Sequence, residues 1–161
     1  MNPGAIIAIC KRAGLAGVTA DSQTIRSLEV GLNARLPMQY RLLLEKVGPI
    51  QFGMVCFYSP QHVLAYAASI WNMSKLTSNF WPAVPVARWG NHGDDSGFLR
   101  RETAFGDEVF LLDHEKEWYT DRDTHWGEWR AKDLGDFIES GLRDSTQRVM
   151  RSVAAESSTT G

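Results

Sequence analysis

Leu36-Pro37-Met38-Gln39-Tyr40-Arg41-Leu42-Leu43-Leu44-Glu45-Lys46-Val47-Gly48-Pro49 is the stretch on which the fold reading turns. Pro37 cannot continue a preceding helix, yet its fixed φ suits the first turn of a new one. Tyr40, Leu43, Leu44 and Val47 follow at i, i+3, i+4 and i+7, the spacing of one buried helical stripe, and Gly48-Pro49 stops it. Upstream, Thr19 to Asp21 offer capping oxygens, and Ile25, Leu28 and Leu32 repeat the three-four spacing. Two consecutive amphipathic helices therefore open the folded region.

Beyond Pro49 the pattern changes period. Gln51 to Tyr58 is apolar on both alternating sets, which predicts one central strand covered from two sides. Ser59-Pro60 caps a helix burying Val63, Leu64, Ala67, Ile70 and Trp71, with His62 off that stripe and on the surface. Val84 to Trp89 reads as a strand start or edge, because Pro85 cannot donate to a ladder. Gly90 to Gly97 is a turn by composition. Phe98–Thr103 and Glu108–Leu112 read as strands joined at Phe105-Gly106-Asp107, and Asp133 caps a last helix carrying Leu134, Phe137, Ile138 and Leu142. Helices first, then strands around one helix, then a helix again: the expected class is α+β, one domain, with a mixed, mostly antiparallel sheet flanked by helices. The expected boundaries are an N-terminal extension at 1–18, the domain at 19–144 and a disordered Ser/Thr/Ala-rich tail at 145–161.

The 161 residues are enough for one core without a metal or disulfide staple. Cys10 and Cys56 make no disulfide framework and read as reduced thiols of a cytoplasmic protein. The apolar run Ala5–Cys10 is too short to span a membrane, and Lys11 and Arg12 follow it rather than precede it, against a signal peptide. A net charge of −2 argues against direct nucleic-acid binding. The distribution is uneven. Lys11, Arg12, Arg26, Arg35, Arg41 and Lys46 face only Asp21, Glu29 and Glu45 in residues 1–50, whereas residues 94–123 carry a net of −6. An acidic middle favours a cationic partner.

No catalytic signature emerges. There is no G-x-S-x-G elbow, no CxxC, no phosphate-binding glycine loop, and Cys56 lies where a thiolate is disfavoured. His92, Asp94, Asp113 and His114 would serve a metal-dependent hydrolase only if they converged on one ion, and their spacing is not a ligand pattern. No cofactor is expected. Trp118, Trp126 and Trp129 lie among Glu117, Asp121, Arg122, Asp123, Glu128 and Arg130, a composition that suits a protein-binding surface and equally a loop stapled to the sheet by indoles. The candidate partner-binding residues are Asp94, Asp95, Glu115, Glu117, Trp118, Asp121, Asp123 and Trp126.

The order of these signals resembles the SUKH superfamily, whose members include bacterial immunity proteins and fungal cell-wall regulators. The resemblance runs over residues 20–143: the Ile25/Leu28/Leu32 helix, Leu36-Pro37, Tyr40-Arg41 with Leu43-Leu44, the glycine stop, Val84-Pro85-Val86-Ala87, Gly93-Asp94-Asp95, Val109 to Leu112, Asp113-His114-Glu115 and Asp136-Phe137-Ile138. It departs at Gly48-Pro49-Ile50, where the family often has an Asn-Gly-Gly turn. The resemblance implies a SUKH-like α+β fold and an immunity protein that neutralises a cognate toxin by stoichiometric binding, with no catalytic residues to carry over. A basic toxin such as a nuclease would suit the acidic segment. An intracellular adaptor of the same type is the alternative.

Overall fold

The computed structural model describes residues 2–73, 83–90, 94–113 and 127–158. Along the chain run α1 (Ala5–Arg12), α2 (Ser22–Leu32), α3 (Met38–Lys46), β1 (Gln51–Phe52), β2 (Val55–Phe57), α4 (Pro60–Met73), β3 (Ala83–Trp89), β4 (Asp95–Arg101), β5 (Ala104–Leu112), β6 (Gly127–Ala131) and α5 (Leu134–Ser158). The strands form one sheet in sequence order, β1-β2-β3-β4-β5-β6, each antiparallel to the next. This is the expected α+β class. The parallel component of the expected mixed sheet is reduced to an isolated bridge, Arg35 to Ala104, which ties the α2–α3 link to β5.

The opening helix pair forms as its pattern dictates. Asp21 accepts from the Thr24 N–H at 2.7 Å, and Ile25, Leu28 and Leu32 are buried. Asn33 ends α2 in the left-handed conformation, and the Arg100 guanidinium of β4 donates to the Asn33 carbonyl at 2.7 Å, satisfying a group the helix leaves unpaired. Tyr40, Leu43 and Leu44 bury the stripe of α3. Gly48 follows with φ of 87°, and a Cβ there would meet the Gly17–Val18 backbone at 2.6 Å. Only glycine lets the chain before α2 pass so close, held by the Gly17 N–H to the Val47 carbonyl at 2.8 Å.

Five features differ from the sequence expectations. Gln51 to Tyr58 is not one central strand: Gly53, with φ of 51°, reverses the chain, and β1 and β2 make a hairpin at the sheet edge. The expected turn Gly90–Gly97 is shorter, because Asp95, Ser96 and Gly97 pair in β4, whereas Pro85 lies near the start of β3, where β2 does not pair with it, as its missing N–H requires. The β4–β5 turn falls at Glu102-Thr103, where Glu102 adopts φ of 53°, and Phe105 to Asp107 belong to β5. Residues 1–18 are not outside the core, since α1 buries Ile6, Ile9 and Cys10 and packs on α3 and α5. Finally, α5 continues to Ser158 through the segment expected as a tail, with Thr146 to Ala155 exposed.

The start of α5 matches its reading. Asp133 accepts from the Asp136 N–H at 2.9 Å, and the buried Gln39 side chain accepts from the Gly135 N–H at 2.9 Å. Leu134, Phe137 and Ile138 are buried. Phe137 takes edge contacts from Phe57, at 6.1 Å between ring centroids, and Trp89, at 5.2 Å, so α5 covers one face of the sheet. Tyr58, beyond β2, meets α4 through His62 and Tyr66.

Candidate functional site

Phe57 and Trp89 face α5, so strand alternation turns Tyr58 and Arg88 to the opposite face. Ser59 then caps α4, accepting from the His62 N–H at 3.1 Å, and Pro60 occupies the first turn. His62 and Tyr66 are four residues apart and share one side of α4. Asp95 opens β4, in register with Arg88 of β3 and Leu112 of β5. These elements converge on one group, the Asp95 carboxylate. Tyr58 donates to its Oδ1 at 2.6 Å and Tyr66 to its Oδ2 at 2.7 Å. His62, exposed, stacks on Tyr58 with ring centroids 4.6 Å apart, and Tyr66 meets Tyr58 edge-on at 6.2 Å.

Asp95 is 3% exposed. Burial raises its pKa above the ordinary carboxylate value; the Tyr58 and Tyr66 hydrogen bonds and the nearby His62 oppose the rise, while Asp94 adds to it. The Tyr58 hydroxyl is pushed up by burial first and by its bond to Asp95 second, with Arg88 opposing, so it stays a donor. Among the described residues no basic side chain is ion-paired with Asp95. The arrangement is a desolvated negative charge held by two phenols. Among the described residues, the groups that act on Asp95 are Tyr58, Tyr66, His62 and Asp94.

Asp95 therefore departs from its expected place on an acidic binding surface: it is an internal anchor joining β2, α4 and β4. Asp94 and Asp113, both half-buried, stand at the same end of the sheet, because Asp95 pairs with Leu112. Gly127 also pairs with Leu112, so the described residues on either side of 114–126 meet at that end. Glu115, Glu117, Trp118, Asp121, Asp123 and Trp126 lie outside the described residues, as do His92, His114 and His125. Among the described residues no group of three or more His, Cys, Asp or Glu could hold a metal ion.

Sequence reasoning missed Tyr58 and Tyr66 and placed His62 only as a surface residue. The three recur every fourth residue, a signal hidden because Tyr58 was assigned to a strand and Tyr66 falls beside the apolar stripe. A separate cleft of about 490 Å³ lies between residues 18–21, Pro49 and the start of α4. Its carboxylate, Asp21, is committed to capping α2, and the Thr24 N–H holds its pKa below the usual value.

No known family model matches the chain, and no curated protein matches it. None of the described helices is long and apolar enough to cross a membrane.

Proposed function

We propose that the protein is a cytoplasmic immunity protein of the SUKH type, which neutralises a protein toxin by direct stoichiometric binding and transforms no substrate. The observation that carries this reading is the meeting of the −6 segment's described strand ends at one end of the sheet, where Asp94 and Asp113 flank the buried charge of Asp95. Acidic groups gathered at one end of a rigid sheet attract a basic partner and accelerate its encounter. A nuclease toxin has such a surface, because it must bind phosphate backbones. Direct nucleic-acid binding and membrane association play no part in this proposal.

The test is protection. Cells expressing the toxin encoded beside this gene should survive when this protein is co-expressed, and the two purified proteins should form a complex of fixed stoichiometry. Co-expressed cells that die, or a purified protein that turns over a small molecule, would remove the proposal.

A further inference from the structure

We draw no further inference here: the strongest candidate, the apolar patch of Val149, Met150 and Val153 on the exposed second half of α5, carries nothing because nothing in the structure shows what covers it.

Discussion

Two tyrosines show how the same hydroxyl can stabilise or destabilise according to its surroundings. The Tyr66 hydroxyl answers a buried carboxylate, whereas the Tyr40 hydroxyl, in a fully buried side chain whose ring centroid is 5.6 Å from that of Phe98, has no hydrogen-bond partner among the described residues. A hydrogen bond to a charged group contributes ~2 kcal/mol, and an unmet buried hydroxyl costs ~1–3 kcal/mol. Tyr66→Phe should therefore lower the unfolding free energy by ~2 kcal/mol in urea titration, while Tyr40→Phe should raise it by ~1 kcal/mol. Equal effects of the two substitutions would show that the Asp95 cluster is not satisfied as described. Asp95 also sets a pH dependence. Its folded pKa is raised, so the folded state holds the proton more tightly and this residue's contribution to stability declines as pH climbs above its ordinary value of 3.8.

Asp133 has the opposite sign, and its effect belongs to a whole helix. Burial would lift its pKa, but the Asp136 N–H and the nearby Lys132 outweigh that and hold it below 3.8. The stabilisation from this cap is present above 3.8 and fades as pH falls through the lowered folded value. Asp133→Ala should cost ~1 kcal/mol at pH 7 and almost nothing in strong acid, read from thermal melts across pH. Helix α1 offers a second test at this scale. Ile6 is fully buried in a helix that packs on α3 and α5, so Ile6→Ala should cost ~3 kcal/mol; a cost near zero would return residues 1–18 to the status of an extension. The far half of α5 differs in kind, because Thr146 to Ala155 are exposed and Val149 and Met150 contribute little to the core. Element by element, α2, α3, α4 and the start of α5 were legible in the sequence through their caps and three-four spacing, while α1 and the far half of α5 were not. Strand limits were less so: the reversal at Gly53 and the turn at Glu102-Thr103 depend on which strands pair, and alternation alone carries no record of pairing.

At the scale of the molecule, the sheet places its acidic strand ends together while α5 packs on one face. The charge pattern leads to a kinetic expectation for the proposed toxin complex. Reversing Asp121 and Asp123 to Lys should slow association at low salt more than it speeds dissociation, measured by stopped flow with the neighbouring gene's product. Association rates that ignore both the substitutions and the salt would remove electrostatic steering from the account.

The sequence by itself determined the α+β class, the paired helices around Pro37, the cap at Asp133 and the acidic bias of the middle of the chain. These depend on residues within a turn or two of each other, where capping, φ restriction and side-chain periodicity act directly. Only the tertiary structure decided that Asp95 is fully buried while Asp94 is half-buried, because the partners of Asp95, Tyr58 and Tyr66, stand 37 and 29 residues away. Adjacent aspartates are chemically identical until the fold sets two phenols over one of them.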